Sequence, residues 1–88
     1  MNFDAKYRMI KRMKIFPTVD VEATGRNIKR LMKKNGLSVK DVAEELHVTI
    51  SAVYCWCWGK KMPSIDNLVA LSVLLKTPLD QILRVQIR

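Results

Sequence analysis

Apolar residues recur at helical spacing in five separate segments of this 88-residue chain. The pattern is clearest over residues 38–46 and 49–58, where an apolar stripe faces away from a polar or mixed arc at a period near 3.6 residues. In the second segment Thr49 is a good N-cap. The predicted buried stripe of that segment consists of Ala52, Val53, Trp56 and Cys57. The two segments therefore predict two short amphipathic helices, which a tight polar turn joins.

Three further helices are predicted around this pair. The first covers residues 20–35, with Asp20 as its N-cap and Gly36 as its C-cap. Its predicted inward side chains are Val21, Ile28, Leu31 and Met32. The fourth covers residues 64–75 and is capped by Ser64. The fifth begins with a capping box at residues 77–80, with Pro78 at the first helical position, and ends near Leu83.

The fourth predicted helix leaves little room for a solvent face, because it is apolar nearly all round. Its contributing side chains are Ile65, Leu68, Val69, Leu71, Ser72, Leu74 and Leu75. Such a helix is either the central helix of the bundle or partly covered by a second subunit.

The two ends of the chain are predicted to differ from the helical middle. Residues 1–19 form a basic N-terminal arm, which we expect to be flexible because termini are poorly ordered unless something holds them. Residues 85–88 form a C-terminal tail, and residues 20–84 form the folded domain. Residues 13–16 and 85–87 have the pattern of short extended pieces, which could pair within or between chains.

The paired helices at residues 38–58, followed by Gly59, have the layout of a helix-turn-helix, whose second helix enters the DNA major groove. Individual residues show a closer similarity to a known family, and their spacing matches it without insertions or deletions. They are Ser38, Val42, Ala43, Leu46, Val48, Thr49, Val53, Trp56, Gly59 and Pro63. At these positions the chain resembles the Cro and phage-repressor type of helix-turn-helix family, the xenobiotic response element regulators, and the likeness covers roughly three quarters of the chain.

The resemblance implies an all-α, five-helix domain of the lambda-repressor type and a transcriptional regulator that inserts the helix at residues 49–58 into the major groove. It also implies which side chains face base edges: Ile50, Ser51, Ala52, Tyr54 and Cys55. Trp58 falls nearer the DNA backbone. None of these side chains is the Gln, Asn or Arg that reads a base by paired hydrogen bonds, so we expect modest sequence discrimination.

Phosphate contacts are predicted at the two helix starts and beyond the second helix. The helices that begin at Ser38 and Thr49 present free backbone N–H groups that suit a phosphate. Lys60 and Lys61 follow the second helix and could bind the next phosphate, while Lys40 is a weaker candidate. The plainer alternative is that Ser38 and Thr49 only cap helices and that the lysines are only solvated.

The charge agrees with a polyanionic partner. The chain has a formal net charge of +8 and a pI near 9.9. Residues 1–34 hold ten of the sixteen Lys and Arg but only three acids, so they carry +7 of that charge. A ribosomal protein, an RNA-binding protein or a membrane-surface peptide could be equally basic, and charge alone therefore identifies no class.

Several classes of protein are disfavoured. No run approaches the eighteen or so apolar residues that span a bilayer, and we expect a cytoplasmic protein. Cys55 and Cys57 point about 200° apart on a helix, so a disulfide between them is not expected. His47 is the only histidine that could join them at a metal, which leaves a zinc site short of ligands. No catalytic constellation, cofactor motif or small-molecule substrate is evident.

Two functions of different classes stay open. The first is a small bacterial or phage-derived regulator that binds double-stranded DNA, as a homodimer on two half-sites one helical turn apart. The second is an antitoxin-like interaction module, in which an apolar patch of Ile50, Tyr54 and Trp58 binds protein instead of DNA.

Overall fold

The computed structural model describes Arg8 and residues 17–87. Five helices and two short strands follow one another along the described chain. In order they are β1 (Pro17–Val19), α1 (Val21–Lys34), α2 (Val39–Leu46), α3 (Ile50–Cys57), α4 (Ile65–Leu74), α5 (Leu79–Ile82) and β2 (Val85–Ile87). The predicted five-helix fold is confirmed, and short strands flank it. Among the described helices, none has both the length and the apolar character needed to cross a membrane.

Side-chain caps define where four of the helices begin. Asp20, Ser38, Thr49 and Ser64 each accept a hydrogen bond from the backbone N–H three residues further on, at distances of 3.0, 3.1, 3.0 and 3.2 Å. Each bond satisfies a backbone donor that the helix itself leaves unpaired, and a cap of this kind contributes about 1 kcal/mol. All four predicted caps are confirmed.

The start of α5 differs from the prediction. The Thr77 hydroxyl donates to the Leu75 carbonyl at 2.9 Å, and no side chain caps α5. Pro78 occupies the N-cap position rather than the first helical position. The predicted capping box is therefore wrong. The reason is that Thr77 belongs to the turn that ends α4, where its backbone N–H bonds to the Ser72 carbonyl at 3.0 Å.

The core lies between α1, α2, α3 and the inner sides of α4 and α5. Its buried members are Ile28, Leu31, Met32, Val42, Ala43, Val53, Trp56, Cys57, Leu71, Leu75 and Ile82. Trp56 is only 5% exposed, as its helical phase predicts. Ala52, from the predicted buried stripe of α3, and Val21, from that of α1, are half-buried.

Polar side chains of α1 hold the C-terminal part of the chain in place. Asn27 is 5% exposed, and its Nδ2 donates to the carbonyls of Gln81 and Ile82, at 2.9 Å each. Thr24 is fully buried and its hydroxyl accepts the backbone N–H of Arg84 at 2.9 Å. The short α5 and the start of β2 are therefore fixed by α1 hydrogen bonds rather than by apolar contacts alone.

The two strands pair antiparallel, with Pro17 opposite Ile87 and Val19 opposite Val85. The extended piece predicted at residues 85–87 is confirmed, and it pairs within the chain. Its partner is β1, whose residues the sequence pattern placed in the basic arm, so that assignment is corrected for residues 17–19. The physical reason is that the Asp20 N–H donates to the Arg84 carbonyl at 2.8 Å and continues the ladder into α1. Residues 13–16 and, apart from Arg8, the rest of the predicted arm lie outside the described residues.

The fourth helix is not central to the bundle. Leu68 and Leu71 face the core, but Ile65, Val69 and Val73 are 72%, 51% and 75% exposed. These three side chains recur every four residues and form one straight row on α4. Of the two alternatives for this helix, the central position is therefore wrong.

Candidate nucleic-acid interface

The N-terminal half of α1 sets the position of α3. The two helices approach so closely at Gly25 that a Cβ atom there would overlap the carbonyl oxygen of Trp56 and lie 2.9 Å from that of Cys57. Any side chain at this position would therefore force the helices apart. The sequence shows a glycine within the first helix, but only the packing shows that Gly25 sets the distance between α1 and α3.

The predicted base-facing positions of α3 are not equally accessible. Ile50 and Tyr54 are 47% and 41% exposed, and Ser51 is also exposed. Ala52 and Cys55 are half-buried against the rest of the domain. Ile50, Ser51 and Tyr54 are therefore accessible to a neighbouring molecule, whereas Ala52 and Cys55 are accessible only in part.

The exposed face of α3 is uncharged. No residue from Thr49 to Gly59 carries a charge. Ser51 and Tyr54 supply hydroxyl groups that can donate or accept a hydrogen bond, and Ile50 supplies methyl groups. This set can contact thymine methyl groups and single base-edge atoms, but it cannot form the paired hydrogen bonds of Arg with guanine or Gln with adenine.

An aromatic pair extends this face toward the C-terminus of α3. The rings of Tyr54 and Trp58 lie 5.1 Å apart between centroids, at an interplanar angle of 31°. Trp58 is 60% exposed. With Ile50, one helical turn before Tyr54, the two rings form a continuous apolar row, which we call the α3 row.

The two helix starts differ as sites for a phosphate. At α2 the Ser38 N–H donates to the Asp41 carboxylate at 2.9 Å, which completes a capping box. This backbone hydrogen bond is the largest cause of the lowered pKa of Asp41, followed by the bond to the Ser38 hydroxyl. The Asp41 carboxylate thus places a negative charge at the start of α2, which opposes the binding of a phosphate there. By contrast, the first turn of α3, which follows Thr49, contains no acidic residue.

The loop that follows α3 contains two lysines, Lys60 and Lys61. Gly59 has a φ of 71°, and a Cβ there would lie 2.7 Å from the Cα of Glu22. The Lys60 and Lys61 N–H groups both donate to the Cys55 carbonyl, at 2.9 and 3.4 Å. The loop backbone is thereby folded onto the end of α3, while both lysine side chains are exposed. Lys40 is exposed as well, beside the negative charge of Asp41.

The cysteines are free thiols with different surroundings. Cys57 is buried, and its Sγ lies 3.8 Å from the Sδ of Met32. Burial raises the pKa of the Cys57 thiol, although the nearby charge of Lys29 opposes this shift. Cys57 is therefore a neutral packing residue at neutral pH. Cys55 is half-buried on the side of α3 that leads to the exposed face.

Comparisons with solved structures identify regulators with the same fold. The restriction-modification controller protein C.AhdI from Aeromonas hydrophila aligns with a TM-score of 0.66 and 22% identity, over 72% of this chain and 96% of that one. The clp gene regulator ClgR from Corynebacterium glutamicum aligns at 0.65 and 20%, over 69% and 65%. SinR, a master regulator for biofilm formation solved in complex with DNA, aligns at 0.62 and 27%, over 67% and 95%.

Sequence comparison leads to the same family. No curated protein matches the chain. A family model described as helix-turn-helix matches residues 28–82, which is more than half of the chain and includes α2, α3 and the loop between them. The predicted family is confirmed: the chain belongs to the helix-turn-helix family of the Cro and phage-repressor type, a family of DNA-binding regulators.

Proposed function

We propose that this protein is a bacterial transcriptional regulator that binds operator DNA by inserting α3 into the major groove. One observation carries the proposal: the exposed, uncharged face of α3 is followed directly by two exposed lysines on a loop that hydrogen bonds hold against the helix. A reading face beside a cationic loop is the arrangement by which a helix-turn-helix binds a duplex. We also propose that it acts in the cytoplasm, where bacterial DNA lies.

Affinity and specificity would come from different residues. Lys60 and Lys61 would neutralise phosphates, and the first turn of α3, which contains no acidic residue, would accept another phosphate beside Thr49. Ser51 and Tyr54 would contact base edges with single hydrogen bonds. Because none of these contacts is bidentate, most of the binding free energy would be electrostatic and the preference for one sequence would be modest.

The two groups of residues can be separated by their salt dependence. Lys60→Ala with Lys61→Ala should weaken binding to all duplexes alike and lower the slope of log affinity against log salt by up to about 2. Ser51→Ala or Tyr54→Phe should instead cost roughly 1–3 kcal/mol on the preferred site only.

A matched control is Lys29→Ala with Lys33→Ala, which removes the same charge from exposed positions of α1. Equal effects of the two lysine pairs would mean that net charge rather than the loop determines binding. If Ser51 and Tyr54 variants keep their full site preference, α3 is not the reading helix.

We further propose that the protein binds its operator as a homodimer in which a second copy covers the row of Ile65, Val69 and Val73 on α4. These aliphatic side chains are more than half exposed, and a straight row on one helix can pack against the same row of a copy related by a two-fold axis. Val69→Asp should yield a monomer in sedimentation equilibrium and lose tight binding to a two-half-site duplex. Thr18→Asp on strand β1 is the control and should leave the dimer intact. If the Val69→Asp variant still forms a dimer, the interface lies elsewhere.

The α3 row favours one alternative function, a module that binds protein through Ile50, Tyr54 and Trp58. All three apolar or aromatic side chains are more than 40% exposed, and a contiguous exposed apolar patch often marks a surface that binds protein. The salt dependence of DNA binding by the unaltered protein distinguishes the two functions. A DNA-binding regulator should lose affinity steeply as salt rises, whereas an interaction module would show DNA affinity that scarcely changes with salt. Under the DNA-binding hypothesis, Trp58→Ala should reduce DNA affinity modestly.

A further inference from the structure

A second cationic site lies away from the reading face, in a cleft of about 320 Å³ between the C-terminal half of α1 and the turn that joins α4 to α5. Four of its lining residues are basic: Arg30, Lys34, Lys76 and Arg84. Among the residues that the structure describes, no acidic side chain lines the cleft. Four positive charges around one small space give it a positive potential, which attracts an anion.

Two of the four cations are held in fixed positions. The Arg30 Nε and Nη2 donate to the Oδ1 of Asn27, at 3.2 and 2.8 Å, and Asn27 is itself buried. The Arg84 Nη1 donates to the Gln81 carbonyl at 3.0 Å. Each guanidinium has five N–H donors, and these bonds leave others for a ligand. Fixed guanidinium groups lose little entropy on binding, and their geometry suits the oxygens of a phosphate.

The third cation, Lys76, has a backbone conformation that is unfavourable for residues other than glycine. Lys76 has a φ of 53°, the left-handed conformation at the residue that follows a helix. The ends of α1 and α3 have the same turn, with Gly36 and Gly59 at the corresponding position. Glycine adopts this conformation without strain, whereas a lysine does not. His47 ends α2 in the same conformation, with a φ of 55°, so the conformation by itself assigns Lys76 no role; Lys76 differs from His47 in that it lines the cationic cleft.

We propose that this cleft binds a phosphate-bearing anion, which contacts the guanidinium groups of Arg30 and Arg84 and the ammonium groups of Lys34 and Lys76. A volume near 320 Å³ holds a phosphate or pyrophosphate group with part of the molecule that carries it. The phosphate belongs either to DNA outside the half-site that α3 contacts or to a free phosphorylated small molecule. In both cases the ligand chemistry is the same, and experiment separates the sources.

Inorganic pyrophosphate is the probe for the site itself. It should raise the melting temperature of the protein in a saturable manner, beyond the effect of sodium chloride at equal ionic strength. Lys76→Gln keeps the strained backbone but removes the charge, and it should weaken pyrophosphate binding about five- to tenfold. Lys33→Gln is the matched control, because Lys33 is an exposed neighbour of Lys34 that does not line the cleft. It should bind pyrophosphate like the unaltered protein.

Lys76→Gly tests the argument from strain. It should raise the melting temperature without anion by roughly 3–6 °C, because the strain is removed, and weaken pyrophosphate binding as Lys76→Gln does. A glycine variant that gains stability and keeps its pyrophosphate affinity would show that Lys76 is only a solvated turn residue, and it would overturn the proposal. So would a pyrophosphate effect no larger than that of sodium chloride, or an equal loss in Lys33→Gln.

The remaining comparisons separate this site from α3 and identify the phosphate. The Lys60→Ala, Lys61→Ala variant should keep its pyrophosphate response, and loss of the response there would overturn the proposal by assigning the anion to the reading helix. Given a response that depends on Lys76, a decrease of about 0.9 in the DNA salt slope of Lys76→Gln would identify the ligand as DNA backbone. An unchanged slope would identify it as a free phosphorylated molecule.

Discussion

Two tryptophans, two residues apart on α3, offer an internal test of how this helix is oriented. Trp56 is 5% exposed, whereas Trp58 is 60% exposed and rests on Tyr54. A tryptophan buries about 150–250 Å² in a core, and its replacement by alanine typically costs about 3–5 kcal/mol. At 60% exposure Trp58 buries less than half as much area, so Trp58→Ala should cost only about 1 kcal/mol, including its aromatic contact.

The difference should be large in relation to the stability of the whole domain. For 88 residues the free energy of unfolding is about 4–13 kcal/mol, so Trp56→Ala removes a large part of it and could unfold the protein at the low end of that range. Urea unfolding followed by far-ultraviolet circular dichroism measures both variants without depending on tryptophan emission. The midpoint should fall by about 1.5–3 M for Trp56→Ala and by less than about 1 M for Trp58→Ala.

Fluorescence gives an independent measurement, since each variant keeps one tryptophan. In Trp58→Ala the remaining Trp56 should emit at shorter wavelength and resist quenching by iodide. In Trp56→Ala the remaining Trp58 should be readily quenched, measured at a temperature where circular dichroism shows that this variant is folded. Equal losses of stability for the two variants, or equal quenching, would refute the orientation of α3 from which the reading face is derived. The DNA experiments would then have to begin from a different set of side chains.

Three further predictions concern the packing around α3 and the ends of the helices. Asn27→Ala leaves two carbonyl groups of α5 without their buried donor and should cost about 2–4 kcal/mol, with increased amide exchange at the C-terminal end of the chain before global unfolding. Gly25→Ala places a Cβ against the carbonyls of α3 and should both destabilise the protein in urea and weaken DNA binding; unchanged DNA affinity would contradict the role of α1 in positioning α3. Asp41→Asn should lose stability relative to the unaltered protein at neutral pH, and this difference should disappear as the pH falls through the lowered pKa of Asp41, because the protonated group no longer accepts the Ser38 N–H as an anion.

The sequence predicted the helices and their caps well, because those features depend on residues close together in the chain. Asp20 and Ser64 act on backbone groups three residues away, and the apolar phase of α3 identifies Trp56 without any knowledge of its neighbours. The Thr77 capping box failed for a related reason. Its signature is local too, but the turn that ends α4 uses the same residue and takes precedence.

Contacts between distant residues were mostly beyond prediction from a single sequence. Asn27 and Gln81 are 54 residues apart, and a polar residue in a helix is ordinarily expected on its solvent face. In retrospect Thr24 and Asn27 share a helical face with Ile28 and Leu31, which the sequence predicts to face inward, and this phase is the signal that could have identified Thr24 and Asn27 as buried. The pairing of β1 with β2 is equally remote, and it was predicted only in part: the sequence indicated that extended pieces near the two ends could pair, but it placed the N-terminal piece at residues 13–16 rather than 17–19.

The same helix links these remote contacts to DNA recognition. Gly25 sets how closely α1 approaches the end of α3, and Glu22, one turn earlier, lies against Gly59 at the start of the lysine loop. Toward its other end α1 holds α5 through Asn27 and carries Arg30 at the cationic cleft. Because α1 is one rigid element of fourteen residues, a shift at the cleft that tilts it would move α3 and the loop together. If an anion at the cleft alters DNA affinity, Gly25→Ala should therefore weaken that coupling even where both sites still bind, whereas a coupling that persists in this variant would have to be carried by long-range charge instead.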